Sequence, residues 1–405
     1  MIKRDSFSSS LLGQSQCLRE VNSCSFIVLF IASTIFITGS ETEAATLKDA
    51  DISSPSQHQE KFKLSGLIML DADHYGPFFD KNAENSTSNI ELRQAKVTAK
   101  YKPTKNWKTK LQLKYSYENS ENEEFEVGDA LVAYSAFSWA DITAGKMKEP
   151  FSMERLAGSS SLIGIERSMV TTAFAPGRSY GVQVGKNKKS HTWALGVFQE
   201  KTDSDSPRSA TARATFAPIR KKDQILHLGI SASIRDLNSG RFQIKESGEV
   251  HTADNIIRSA RFDAEKSHLA GVEMAWQYQS LRLQTELVVE DVEQVTGVNW
   301  NYWGYYAQAS YFITGKSANY KNGIFKQVNP NENIGAVELV SRYSNLDIRD
   351  NNLGSESSIA MIGINYYWSK NLKVMANYLT PEMSGNTLHT DDSGNAVSVR
   401  AHLLF

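Results

Sequence analysis

Nine basic residues, Lys96, Lys100, Lys110, Lys114, Arg213, Arg282, Arg342, Lys373 and Arg400, fall on the polar parity of segments whose alternate positions are apolar. Among those segments runs one stretch of different character, GKMKEPFSMERLAGSSSLIGIERSMVTTAFAPGRSYGVQV (145–184), in which Lys and Arg are spread among Ser and Gly. Such residues suit one kind of chemistry. Lys brings a compact charge and Arg a planar fork of donors, so a group of them can replace the hydration shell of a small anion. Bond-breaking chemistry finds less support, because the eight His form no nucleophile–base pattern with Ser and acidic residues. His227 and His402 read as wall residues more readily than as ligands. The only cysteines, Cys17 and Cys24, precede residue 44, so neither thiolate metal sites nor disulfides are expected beyond it. No cofactor, metal or nucleic-acid partner is expected.

These cations must be held by strands. In NWKTKLQLKYSYE (106–118), Trp107, Thr109, Leu111, Leu113, Tyr115 and Tyr117 share one face, while Lys108, Lys110, Gln112, Lys114 and Ser116 share the other. The same period of two recurs from residue 61 onward and predicts sixteen strands. They fall near 62–75, 90–102, 107–117, 125–137, 139–147, 179–187, 191–200 and 208–217, then near 225–235, 268–279, 281–291, 301–314, 335–345, 359–369, 372–380 and 396–405. A seventeenth candidate, IIRSARF (256–262), is placed inside a long excursion after the ninth strand, since both chain ends on one side of a membrane require an even count. Tight connections such as AFSW (136–139) and SKN (369–371) interleave with long polar ones such as 237–267 and 315–334, which suggests short turns on one side and long loops on the other. Tyr115, Tyr117, Tyr366, Tyr367, Trp368 and Tyr378 sit at strand ends, as interfacial girdles require.

Composition agrees. Aromatic residues make up 10% of the chain while mean hydropathy is −0.39, which excludes a helical membrane protein and suits a barrel apolar at every second position. The one continuously apolar run, FIVLFIASTIFI (26–37), is shorter than the ~20 residues a spanning helix needs. It follows Lys3, Arg4 and Arg19 and precedes Ala44 and Ala45, so residues 1–44 read as a secretory signal peptide, with a short membrane anchor as the alternative. Residues 45–60 read as a flexible lead-in. The remainder carries 41 basic and 41 acidic residues, so any charge preference must come from where charges sit. The chain ends on NAVSVRAHLLF (395–405), with Val397, Val399, Ala401, Leu403 and Phe405 apolar in steps of two. That reads as a closing strand, because an open edge in lipid leaves backbone groups unpaired. Phe405 as the last residue reads as the assembly signal recognised by the barrel assembly machinery of a Gram-negative outer membrane.

The strings KEPFSMERL, SSSLIGIERSM and FAPGRSYGVQV resemble the signature of the phosphate-selective porin O and P family. GYYAQASYFITG (304–315) and GAVELVSRY (335–343) match in the same order, so the resemblance covers roughly residues 61–405. It implies an all-β, transmembrane 16-stranded antiparallel β-barrel with an in-folded constriction loop at about 148–178, assembled as a homotrimer in outer-membrane lipid and conducting small inorganic anions. It also implies an anion site at Arg155, Arg167 and Lys108, with hydroxyls from Ser159 and Ser160. The parity residues Lys96, Lys100, Lys110, Lys114, Arg213, Arg282 and Arg342 then form either a basic lumen funnel or ordinary solvated wall. Glu166 either pairs with Arg167 to pin the loop or leaves it free, and Arg178 either anchors the loop base or meets solute. Two positions depart from the phosphate-specific members. Leu67 follows Gly66 where they carry arginine, and their doubled arginine is Arg93-Gln94, with Gln94 on the inward parity. A general diffusion porin for neutral solutes or sugars is the alternative function.

Overall fold

The computed structural model describes residues 61–80, 85–118, 122–203, 205–330, 334–385 and 393–405. The proposed signal peptide and lead-in lie outside the described residues. Sixteen of the strands pair edge to edge into a closed barrel. In chain order they are β1 (Phe62–Tyr75), β2 (Thr87–Tyr101), β3 (Trp107–Glu118), β4 (Asn122–Tyr134), β5 (Asp141–Lys148), β6 (Arg178–Asn187), β7 (His191–Gln199), β8 (Arg208–Arg220) and β9 (Gln224–Phe242). After the short strands β10 (Lys245–Glu246) and β11 (Ile257–Arg258) come β12 (Phe262–Tyr278), β13 (Leu281–Gln294) and β14 (Asn299–Phe312). The short β15 (Asn319–Lys321) and β16 (Ile324–Lys326) precede β17 (Ala336–Asp347), β18 (Ser355–Tyr367), β19 (Leu372–Gly385) and β20 (Ala396–Leu404). Every barrel pairing is antiparallel, and β20 closes against β1 from Leu67↔Leu404 to Tyr75↔Ala396.

The barrel is built inside out. Leu195, Val197, Ile230, Ile234 and Ile362 point outward and are each more than half exposed, whereas the inward His227, Ser267, Ser344 and Asn365 are sealed from solvent. Apolar surface left outside costs ~25 cal/mol per Å² in water and nothing comparable in hydrocarbon, so this alternation is stable only with lipid outside. At the seam, Gly66 and Phe405 exchange both backbone hydrogen bonds. A Cβ on residue 66 would lie 2.1 Å from the Phe405 ring, so glycine leaves the space the terminal aromatic fills.

The predicted strands near 256–262 resolve as proposed in part. Ile257–Arg258 pairs only with Lys245–Glu246 in a separate two-stranded sheet, and Phe262 already begins β12. Two features differ from the sequence reading. A register shift between Met69 and Asp71 in the β1–β2 pair admits an extra residue, so Arg93 and Gln94 both reach the interior instead of alternating. The long 315–334 connection lies at the same end as AFSW and SKN, so that end is not uniformly short. Strand count explains it: β14 runs toward the short-turn end, and β15 and β16 form a hairpin there.

One side of the interior is filled. Phe78 and Phe79, Val250, Ile256 and Ile257 of the 243–261 excursion, and Met169, Val170 and Phe174 pack with Trp300, Tyr302, Ile348, Ile359 and Met361 into one buried cluster. Each buried aromatic or large aliphatic side chain contributes ~1.5–3 kcal/mol. The helical turns Met153–Leu156 and Met169–Phe174 are too short to announce themselves by a helical period.

Candidate functional site

The connection from β5 to β6, residues 149–177, is tied to side chains on the inner face of many strands. Glu149, fully buried, accepts from Ser179 (2.7 Å), Ser209 (3.0 Å), Thr211 (2.6 Å) and Arg235 (3.1 Å). Phe151 then lies over Gly271, where a Cβ would come within 3.2 Å of its ring. The KEPF string is therefore an anchor. The Glu286 carboxylate takes the Met153 and Glu154 amides (3.0 and 2.8 Å), capping the first helical turn together with Ser152. Farther along, Lys373 donates to the Leu162 carbonyl (3.0 Å), Asn365 to the Ile163 carbonyl (2.9 Å), and the Ile165 amide to Asn377 (3.1 Å). Arg342 donates to the Glu166 carbonyl (3.1 Å), and the Met169 amide to Glu249 (3.0 Å).

Held in this way, the segment leaves a cavity of about 910 Å³ between itself and the wall. Thirteen Lys and Arg residues line the cavity against four carboxylates, Glu126, Asp129, Asp141 and Glu166. A chain of balanced charge has thus segregated its cations onto one surface. The wall cations are partly compensated: Asp129 pairs with Lys110 and with Arg178 (2.5 Å), and Glu126 with Lys114 (2.8 Å). Six others, Lys96, Lys108, Lys148, Arg155, Arg167 and Lys326, make no ion pair among the described residues. Four of these are held by neutral acceptors instead. Arg155 donates to the Pro176 carbonyl (3.0 Å), and Arg167 to those of Glu154 (3.3 Å) and Ala157 (3.0 Å). Lys148 donates to the carbonyls of Arg155 and Ala157, and Lys96 to Ser159 (3.4 Å). Burial first, then the Arg167 and Arg178 guanidiniums, lower the Arg155 pKa to about 10, so it stays charged at neutral pH. At Gly177 a Cβ would stand 3.2 Å from an Arg155 nitrogen, so the segment's base lies close against this guanidinium.

The residues inferred from sequence separate into groups. Arg155, Arg167 and Ser159 line the cavity together, whereas Ser160 does not. Lys108 lines it at the exposed start of β3, and among the described residues it makes no hydrogen bond or ion pair with the 149–177 segment; the wall cation that meets the segment is Lys96. Glu166 does not pair with Arg167. It is claimed by Arg93 (2.9 Å) and Arg400, and although burial acts to raise its pKa, these two guanidiniums hold it well below the usual carboxylate range. Arg178 sits at the segment's base against Asp129. Arg282 and Arg342 point inward as parity requires but lie off the cavity: Arg342 is taken by Glu249 and Glu154, and Arg282 stands 3.7 Å from Glu338. Arg213 is spent on Glu273 and Arg400 on Asp71 (2.7 Å). Lys148 and Arg93 were missed. Lys148 closes β5 at the edge of the segment, and only the bulge beside Met69 brings Arg93 inside.

The model of the family described as "Phosphate-selective porin O and P" matches residues 62–405. The chain belongs to this family. It is an outer-membrane porin. Porin O of Pseudomonas aeruginosa is 23% identical over 92% of this chain and 95% of its own length. Among solved structures, an anion-selective porin from Comamonas acidovorans superposes with a TM-score of 0.56 at 13% identity, covering 85% of this chain and 99% of that one. OmpT of Vibrio cholerae, in a trimer form, superposes with a TM-score of 0.52 at 11% identity, covering 85% and 99%. These structural likenesses concern the fold. The porin family consists of channels, which argues against an enzyme.

Proposed function

We propose that this porin conducts small inorganic anions of the phosphate class through a constriction formed by the 149–177 segment and the inner faces of β2–β6. The observation that carries this reading is the cluster of Lys96, Lys148, Arg155 and Arg167 on one cavity without carboxylate partners, amid thirteen lining cations and four lining acids. Each cation attracts a monovalent anion at 4 Å by ~1 kcal/mol in bulk water and more in a partly desolvated gap. Ser159 adds a hydroxyl, and the guanidinium N–H groups of Arg155 and Arg167 that are not bonded to backbone carbonyls are left to donate to an oxyanion. Lys110, Lys114 and Arg178, being paired, act as a weaker basic surround that salt screens. The family's description as phosphate-selective and the likeness to an anion-selective porin point the same way.

The working assembly under this reading is a homotrimer, the form in which OmpT has been solved. Export proceeds through cleavage of residues 1–44, and insertion through the barrel assembly machinery reading Phe405. The test is electrical. In planar bilayers under a salt gradient, Arg155→Ala/Arg167→Ala should preserve or raise conductance, lower the anion-to-cation permeability ratio and weaken block of chloride current by phosphate. An unchanged reversal potential in the double variant would overturn the site.

A further inference from the structure

The hairpin of β15 and β16 enters the barrel from the short-turn end and does not hang free below it. Its turn, Asn322-Gly323, has positive φ at both positions (56° and 71°), the two-residue geometry that Asn-Gly favours. Gly323 is fitted to the wall: a Cβ there would lie 3.0 Å from Thr215 and 3.1 Å from Thr192, and its carbonyl accepts from Arg213 at 2.8 Å. The adjacent Tyr320 hydroxyl meets His227 Nδ1 at 2.6 Å, and His227 Nε2 meets Glu273 at 2.9 Å. Arg213 donates to the same carboxylate. Phe325, opposite Tyr320 in the hairpin register, and Ile324 pack in one buried cluster with Met153 of the 149–177 segment. Asn322, Ile324 and Lys326 are left on the cavity lining.

A buried His–Glu–Arg network on β8, β9 and β12 whose contacts outside the wall go to this hairpin has no transport role of its own. His227 and Glu273 are buried and off the cavity, and only Arg213 reaches its lining. We infer that His227 and Tyr320 are positioning residues that latch the hairpin into the lumen, so that Asn322, Ile324 and Lys326 narrow the cavity beside the 149–177 segment from the short-turn end. The hairpin is joined to the wall by one hydroxyl–imidazole bond and two arginine–carbonyl bonds, Arg213 to Gly323 and Arg220 to Tyr320 (3.5 Å). Breaking the first leaves the hairpin on the two arginine–carbonyl bonds and on apolar packing, so it becomes looser without being expelled.

Three channels should be compared in planar bilayers in symmetric KCl: the unaltered chain, Tyr320→Phe and His227→Ala. A fourth, with residues 317–328 replaced by a short Gly-Ser turn, sets the upper limit. The trimmed channel should conduct more than the unaltered one, and Tyr320→Phe and His227→Ala should lie between them with noisier open levels. His227→Gln, which can still bridge a hydroxyl and a carboxylate, should restore the quiet level. In parallel, Lys326→Cys should react about five- to tenfold faster with a charged methanethiosulfonate when combined with Tyr320→Phe, the equivalent of ~1–1.4 kcal/mol for one hydrogen bond. Heat-modifiable migration verifies insertion of each variant. Equal conductance of trimmed and unaltered channels would overturn the narrowing. Equal thiol reactivity with and without the Tyr320 hydroxyl would overturn the latch, and it does so even if the trimmed chain fails to insert.

Discussion

Replacing Glu166 with Gln should make this channel more anion-selective, the opposite of what damage to a binding site produces. Glu166 is one of four acids on a cavity with thirteen cations, and it sits beside Arg167 on the segment. An anion 5 Å from its carboxylate is repelled by ~0.8 kcal/mol in bulk water and ~3 kcal/mol at an effective dielectric of 20. With both Glu166 and its partner Arg93 17% exposed, the effective value falls between, ~1–2 kcal/mol, or about five- to thirtyfold in relative anion occupancy. The same substitution releases Arg93, whereas Arg400 keeps Asp71. Arg93 can re-solvate in the cavity, so the stability cost is ~1 kcal/mol instead of the 3–5 kcal/mol of breaking a sealed pair. The segment stays in place, because Arg342 still holds the residue 166 carbonyl and Asn377 the Ile165 amide. The assay is the reversal potential across a tenfold salt gradient, with heat-modifiable migration as the control for folding. A lower permeability ratio in Glu166→Gln, with the barrel intact, would refute the assignment of Glu166 as a counter-charge.

Two further predictions concern the frame. Substituting Gly66 with Leu should impair insertion as deletion of Phe405 or Phe405→Asp does, since a side chain at 66 collides with the Phe405 ring that seats the closing strand; outer-membrane levels equal to the unaltered protein in all three variants would contradict this. Glu246, in the 243–261 excursion, has its pKa raised well above the usual value, by burial first and then by Glu249. The folded state therefore binds a proton that the unfolded chain releases as pH rises past ~4.3, and this group's contribution to stability falls with increasing pH above that point. The midpoint of heat modification should drop between pH 5 and pH 8, and Glu246→Gln should flatten the drop; parallel profiles for the two proteins would exclude this group as the cause.

The barrel was legible because a strand advertises its two faces in every pair of residues. Leu228, Ile230 and Ile234 could only be outward once His227 and Ser231 were inward, and the observed exposure follows that order. The site was legible in part. Arg155, Arg167 and Ser159 gather as the family strings implied, but parity reports the face a cation takes, never its partner. Arg342 meets Glu249, and Arg400 meets Asp71 across the barrel seam, contacts separated by 93 and 329 residues. Arg93 was hidden by a bulge, which breaks the very period used to place it. The β15–β16 hairpin carried a local signal, the Asn-Gly turn in YKNGIF, and the count of preceding strands would have put it at the short-turn end.

The cations that hold this protein together and the cations that face its cavity lie largely on different strands. Arg342, Lys373 and Arg400, on β17, β19 and β20, fasten the 149–177 segment from behind, while Lys110 and Lys114 on β3 face the cavity without bonding the segment and Lys96 on β2 meets it only at Ser159. Such a division makes specificity evolvable. Lys110 and Lys114 can be exchanged for neutral residues without loss of any bond that holds the 149–177 segment. A porin organised the other way, with one set of arginines serving both duties, would have to unfasten its constriction each time it changed its diet.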